Sequence, residues 1–201
     1  MAAPTATRAL AALGRAAAGC TECPLYERAT QTVFGEGPVD ARIVMLGEQP
    51  GDHEDREGHV FIGPAGHLLD QALGDAGLDR SAIYLSNVVK HFKWTPSPRS
   101  DKVRIHAKPN RREAAACEHW WRSELDVVRP SVVGALGAVA AQAVHGSAFK
   151  LTQHRGEPIL VGDATVVATF HPSAVLRARE RRREMYTELV DDLARIAELA
   201  G

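Results

Sequence analysis

Apolar residues fall along this chain in short blocks separated by stretches of helical period. Ile43-Val44-Met45-Leu46 has no polar position to face water, the pattern of a strand covered on both faces in a parallel sheet. Comparable runs predict strands over 83–89, 131–137, 158–161 and 165–170. A 3.6-residue period predicts helices over 7–18, 65–76, 111–128, 138–144 and about 179–200, the last with Leu189, Leu193, Ile196 and Leu199 on one stripe. Gly77 closes the second helix and Pro130 stops the third. Strands alternating with helices imply an α/β three-layer sandwich, a mainly parallel sheet flanked by helices. Tyr26 to Gly37, the connection 90–110 and the segment 151–158 fit neither period and read as loops. The connection 90–110 carries three prolines, and loops of that length in a compact domain are usually functional or disordered.

Candidate chemistry collects where the strands end. Gly47, Pro50 and Gly51 enforce a turn after the first strand, with Glu48 and Gln49 at its carboxyl end, where ligands bind in open α/β sheets. Asp52, Glu54, Asp55 and Glu57 crowd the loop that follows. The apolar Phe61-Ile62-Gly63 inside that acidic loop implies that something packs on it. Parallel strands bring Asn87 and His171 to the same edge. A carboxylate and an imidazole there can do acid, base or charge-stabilising work. The Asn87 amide pairs a donor with an acceptor, as reading a base edge requires, and Phe61 can stack on a planar ligand. Singly, these are a turn former, a helix neighbour and a core ring; their common edge sets them apart.

At 201 residues and 45% apolar, the chain suits one packed domain, 1–201, with a leading helix over 1–18. The net charge of −1 excludes a global basic field, but Lys or Arg stands at 90, 93, 99, 102, 104, 108, 111 and 112 against one acid, Asp101. That basic segment can steer a polyanion. No apolar run reaches membrane-spanning length, and Arg15 interrupts the Ala-rich start, which reads as an amphipathic helix. Three cysteines with one CxxC argue against a disulfide framework and for a reduced, cytoplasmic compartment. Cys20 and Cys23 have metal-ligand spacing, Cys117 offers a third sulfur, and His91 is the natural fourth donor. Spacing leaves open a Cys3His zinc site or an iron–sulfur cluster with one imidazole ligand. Nothing in the pattern calls for an obligate partner, so a monomer is expected.

The segments GEQPGDHEDREGHVFIGPAG, SNVVKHF, KVRIH and HPS together resemble the uracil-DNA glycosylase superfamily, from about Cys20 to the last helix. The resemblance is closest to the iron–sulfur family 4 enzymes and, beside them, to the UdgX type. Family 4 usually has GEAPG, and a cysteine after the second strand. Gln49 and His91 stand there in this chain, as in UdgX proteins, and the basic loop ending Arg-Ile-His is the UdgX hallmark. Val103 departs from that loop's usual basic residue. The resemblance implies a DNA-repair hydrolase acting on uracil-containing DNA, single-stranded by preference, with a 4Fe-4S cluster on Cys20, Cys23, His91 and Cys117. It assigns Asn87 to the uracil edge, Phe61 to stacking and His171 to the O2 side, with Gln49, Asp52 and Arg104 in the substrate-binding set. It further implies that His106, oriented by Glu48, attacks C1′ and stays attached. Lys90, Lys93, Lys102, Arg104, Lys108 and Arg111 are expected on backbone phosphates. A conventional, turning-over family 4-like glycosylase and a non-catalytic iron–sulfur DNA-binding protein are the alternatives.

Overall fold

A computed structural model describes residues 3–201, apart from the side chains at positions 3, 101 and 102. The chain opens with α1 (Ala3–Ala17), then β1 (Ile43–Gly47), α2 (Asp52–Glu57), α3 (Pro64–Asp75) and β2 (Ile83–Asn87). A hairpin of β3 (Trp94–Ser97) and β4 (Ser100–His106) leads into α4 (Arg111–Ala116) and α5 (Glu118–Val128). Then come β5 (Val132–Leu136), α6 (Gly137–His145), the single turn α7 (Leu151–His154), β6 (Pro158–Val161) and β7 (Ala164–Thr169). α8 (Pro172–Arg177) and α9 (Arg182–Ala200) close the fold.

The central sheet has the order β2-β1-β5-β7-β6. Its first four strands are parallel and β6 is an antiparallel edge. Alternation along each strand feeds two separate cores. Val44 and Leu46 join Tyr84, Val133 and Ala168 under α1, α5 and α6. Ile43 and Met45 join Ile83, Leu85 and Val167 under α3, α8 and α9. This is the expected three-layer sandwich. Burying an aliphatic side chain of this size stabilises by roughly 1.5–3 kcal/mol, so sliding one strand by a single residue would exchange the two cores and is excluded. Among the described residues no helix is long and apolar enough to cross a membrane.

Five local expectations change. The connection 90–110 is not structureless, because β3 and β4 form a separate two-stranded sheet. Residues 52–57 are a helix despite being wholly polar. Glu54 accepts from the Gly51 N–H at 3.1 Å, which caps the first turn. The helix expected over 111–128 breaks at Cys117, and 151–158 contains one helical turn. Lys90, expected on phosphate, is fully buried instead. Its Nζ lies 2.5 Å from Glu124 Oε2 and 2.7 Å from Ser86 Oγ, while Glu124 Oε1 also accepts from Tyr84 and the Gly35 N–H. A buried ammonium needs such partners to stay charged.

Candidate active site

The carboxyl ends of β1, β2, β5 and β7 open into a cleft of about 840 Å³. Glu48, Gln49, Asp52, Phe61, Asn87, His106 and His171 all line it. The ladder between β1 and β2 runs past the strand ends: the Val88 N–H donates to Gly47 O and the Val89 N–H to Glu48 O, both at 3.0 Å. That fixes the peptide bearing Glu48. Gly47 is obligatory here, because a Cβ would strike Asn87 Oδ1 and sit 2.6 Å from Phe61 Cζ. Phe61 takes φ +52°, a left-handed backbone that bulky residues rarely adopt, and such strain concentrates at functional sites. Arg80 holds it by donating to the carbonyls of Val60 and Phe61, at 3.1 and 3.3 Å. Gly66 lets α3 pass against the Phe61 carbonyl, where any Cβ would collide. Glu54 Oε1 accepts from the Ile62 and Gly63 N–H groups at 3.0 and 2.8 Å, closing the loop.

The polar groups of the cleft divide by state. Asn87 is buried, and its Oδ1 has no hydrogen-bond partner among the described residues. A buried amide left unpaired is costly, and this one lies on the cleft wall. The Phe61 and His171 ring centroids are 6.3 Å apart, at 30°. His171 Nδ1 accepts from the Ser173 N–H at 3.1 Å, which leaves the proton of the neutral ring on Nε2. Burial, with His106 and Arg177 nearby, lowers the His171 pKa to about 4. The ring is therefore a neutral donor at pH 7. Burial raises the Glu48 pKa, against the pull of Lys108 and Arg177, and Glu48 Oε1 also lacks a hydrogen-bond partner. His106 Nε2 stands 3.6 Å from that oxygen, too far for a hydrogen bond but within reach of a small shift. Burial first, and Arg177 second, lower the His106 pKa.

The β3–β4 hairpin carries His106 into the cleft. Trp94 pairs with His106 and Pro96 with Arg104 in register. Gln49 clasps the base of the hairpin: its amide nitrogen donates to Lys93 O and Ala107 O at 3.1 and 3.2 Å, and its oxygen accepts from the Lys93 N–H at 3.2 Å. Arg104 does not present its charge to solvent, contrary to its expected place on phosphate. It bonds Asp52, lies 2.6 Å from Asp55 Oδ2, and sits over the Phe92 and Trp94 rings. Burial opposes ionisation of Asp52, but hydrogen bonds from Arg56 and Arg104 outweigh it and hold the carboxyl below its usual range. Asp52 and Arg104 thus hold each other. Lys93 is likewise paired with Glu113 at 2.9 Å. Lys108 and Arg111 are exposed; the Lys102 side chain lies outside the described residues.

The model of the uracil DNA glycosylase superfamily matches residues 34–194, which spans the cleft, the hairpin and most of both cores. The chain belongs to the uracil-DNA glycosylase superfamily. It is 39% identical over 176 residues to a type-4 uracil-DNA glycosylase of Thermotoga maritima, covering 87% of this chain and 85% of the relative. It is 33% identical over 190 residues to the type-4 uracil-DNA glycosylase of Archaeoglobus fulgidus, covering 90% and 88%. A type-5 uracil-DNA glycosylase of Pyrobaculum aerophilum is 30% identical over 155 residues, covering 68% and 63%.

Away from the cleft, this member of the uracil-DNA glycosylase superfamily gathers its three cysteines, all free and buried. Burial pushes the Cys117 thiol up to about 11, opposed by a hydrogen bond from the Lys90 backbone and reinforced by Cys23 and Cys20. Burial also raises Cys23, with Cys20 and Glu113 adding to it. The Trp120 indole N–H donates to Cys20 Sγ at 3.3 Å. His91 is buried with Nε2 2.9 Å from Thr32 Oγ1, and its Nδ1 has no partner among the described residues. Burial lowers its pKa, which favours the neutral, ligating form. Among the described residues no three His, Cys, Asp or Glu side chains are grouped so as to hold a metal ion. Arg177 is a charged cleft residue that escaped the sequence reading. It faces Glu48, His106 and His171 from α8. The signal was present: His171 caps a helix with Pro172 at its first position, the usual start of a helix.

Proposed function

We propose that this protein excises uracil from DNA and that His106 then holds C1′ of the resulting sugar in a covalent bond. The observation that carries the reading is the convergence of two machineries in one cleft: an unpaired base-reading amide, and an imidazole beside a buried carboxylate. The Asn87 amide would accept from uracil N3–H and donate to O4, whereas cytosine presents the reverse pattern. Phe61 would stack on the base. A base within a duplex cannot reach such a pocket, so the target must be extruded or lie in a single strand.

Cleavage of the C1′–N1 bond sends its electron pair onto uracil and leaves positive charge on the sugar. His171 Nε2–H, neutral and aimed by Ser173, would donate to O2 as that charge appears. Preorganised donors of this kind are commonly the largest single source of rate enhancement. Glu48 would stabilise the sugar cation and orient His106. A ring nitrogen of neutral His106 bonds C1′, the proton on its other nitrogen is released, and uracil leaves and is protonated. The superfamily relationship and the cleft support base excision. The hairpin that delivers His106 supports capture, as does the likeness of Gln49, His91 and the Arg-Ile-His segment to UdgX proteins.

Cys20, Cys23, Cys117 and His91 would hold a 4Fe-4S cluster. Three buried thiols and a neutral imidazole with a free nitrogen support the donor set, and the likeness to type-4 uracil-DNA glycosylases and UdgX proteins favours the cluster over zinc. The cluster would brace the fold, since the reaction transfers no electrons. Purified protein should be brown and contain iron; colourless, zinc-loaded protein would refute the assignment.

A second reading is conventional turnover, with Glu48 activating water in place of His106; the likeness to relatives named type-4 uracil-DNA glycosylases favours it. One experiment separates the two. With uracil-containing single-stranded DNA, capture predicts a band that survives heat and detergent, with at most one uracil released per chain. His106→Ala should lose the band. Free uracil in molar excess over wild-type protein, with no band, would establish turnover instead.

A further inference from the structure

Beside the cleft runs a second concavity of about 710 Å³, between the α4–α5 layer and α6. Its volume lies within the roughly 300–1,000 Å³ of ligand pockets. The two spaces adjoin, since Lys108 and Val139 line both. Lys108 is near enough to Glu48 to lower its pKa, so one ammonium overlooks the cleft and the groove together. Arg111 stands next along the same rim. Ala114, Ala115 and Ala143 give the otherwise polar lining an apolar patch of small side chains. Arg122, half-exposed on the same lining, is paired with Glu118 at 2.7 Å and lies 4.7 Å over the Trp121 ring, which leaves Lys108 and Arg111 as the lining's cations outside an ion pair among the described residues. On the far wall His145 is stacked against Phe149, centroids 4.4 Å apart at 16°. Its Nε2 is buried without a hydrogen-bond partner among the described residues.

We infer that this groove receives the nucleotide next to the target in a single strand of DNA. The intervening phosphate sits between Lys108 and Arg111, and the neighbouring base lies on the alanine patch with an edge toward His145 Nε2. The inference rests on the reading of the adjoining cleft as the uracil site. Four features select this occupant. The groove adjoins the cleft, its lining carries Lys108 and Arg111, its alanine patch is free of bulky side chains, and it holds an unpaired imidazole nitrogen. A base can enter only after leaving its stack, so the groove favours single strands over duplex, in the manner of stacking platforms. Of the groove residues, Lys108 and the apolar Val139 also line the cleft, so the site adds affinity and strand preference, not chemistry.

The test uses the whole protein and uracil-containing single-stranded oligonucleotides. In two of them the nucleotide on one side or the other of uracil is replaced by an abasic spacer, which keeps the phosphates and removes one base. Uracil release at sub-saturating DNA should fall about 5- to 50-fold for one spacer position and hardly change for the other, as expected for loss of one docked base. Ala115→Trp and Ser147→Trp, both at exposed positions, would plug the groove. Each should slow the all-nucleotide substrate to the level of the sensitive spacer substrate while leaving the spacer substrate unchanged. Wild type indifferent to both spacers would overturn the inference without any variant, and so would plugged variants that keep the full spacer effect. Strand binding by fluorescence anisotropy, with DNA lacking uracil, gives an arm independent of chemistry. If no oligonucleotide releases uracil yet Ala115→Trp weakens strand binding about 5-fold or more, the activity reading falls and the groove stands. Unweakened binding removes the groove.

Discussion

At the scale of single residues, the site is a set of groups held in states that water would not give them. Asn87 Oδ1 is buried and unpaired, His171 is a neutral donor, and burial favours the uncharged forms of both Glu48 and His106. Asn87→Ala should lower uracil excision by about 10- to 100-fold, the value of a bidentate base contact of roughly 1–3 kcal/mol, with thermal stability little changed. Binding weakened equally for oligonucleotides with and without uracil would deny Asn87 a reading role. The pH dependence has a definite sign. Attack needs the neutral imidazole, and burial lowers the His106 pKa below its ordinary 6.5. Capture should therefore be flat near pH 7 to 8 and fall as pH drops through a midpoint below 6.5, and protonation of Glu48 acts in the same direction. A midpoint well above 6.5 in single-turnover rates would contradict this electrostatic picture. The identities of these groups were readable from the sequence, because strand ends collect ligands. Their protonation states were not, since those depend on Ser173, Arg177 and the depth of the cleft.

At the scale of elements, the hairpin decides what His106 can do. It is small and exposed, and its hold on the domain comes from Arg104 on Asp52 and Asp55 and from the Gln49 clasp. Asp55 is fully buried and the Arg104 side chain is only 9% exposed. Removing one partner of such a pair leaves the other uncompensated, at about 3–5 kcal/mol in the worst case. Arg104→Ala should lower the unfolding midpoint and slow capture while leaving uracil binding at Asn87 nearly intact. A variant with unchanged capture rate would show that the hairpin needs no anchor. Gln49→Ala should likewise slow capture more than excision. The hairpin and α2 were invisible to hydrophobic periodicity for the same reason. Pro96 and Pro98 break the strand pattern, the hairpin's outer face is wet, and α2 has no apolar residue at all. Both are stabilised by charged side chains bonding to distant backbone and to one another, a tertiary effect that no local window contains. Arg104 and Lys90 looked like phosphate contacts because charge in sequence says nothing of partners such as Asp55 or Glu124.

At the scale of the whole molecule, one parallel sheet organises two cores, the cleft at its carboxyl edge and the cysteine group below the α4–α5 break. That architecture was legible from apolar runs alone, since strands buried on both faces have no polar alternation to confuse. The cysteine group links to the cleft through β2 and the residues after it: Asn87 lines the cleft, Lys90 is buried with its backbone bonded to the Cys117 thiol, and buried His91 follows it. Cys117→Ser should therefore lose the brown colour and iron, and lower thermal stability along with uracil excision. Retained iron with full activity would remove Cys117 from the ligand set. The central claim is that a bond forms between this chain and the sugar. The direct measurement is tandem mass spectrometry of the protein after reaction with uracil-containing single-stranded DNA and nuclease trimming. The account predicts a single deoxyribose-phosphate remnant on the peptide containing Ile105-His106-Ala107, with fragment ions placing it on His106. An unmodified chain beside an accumulating abasic product, or a remnant fixed to any other residue, would contradict it.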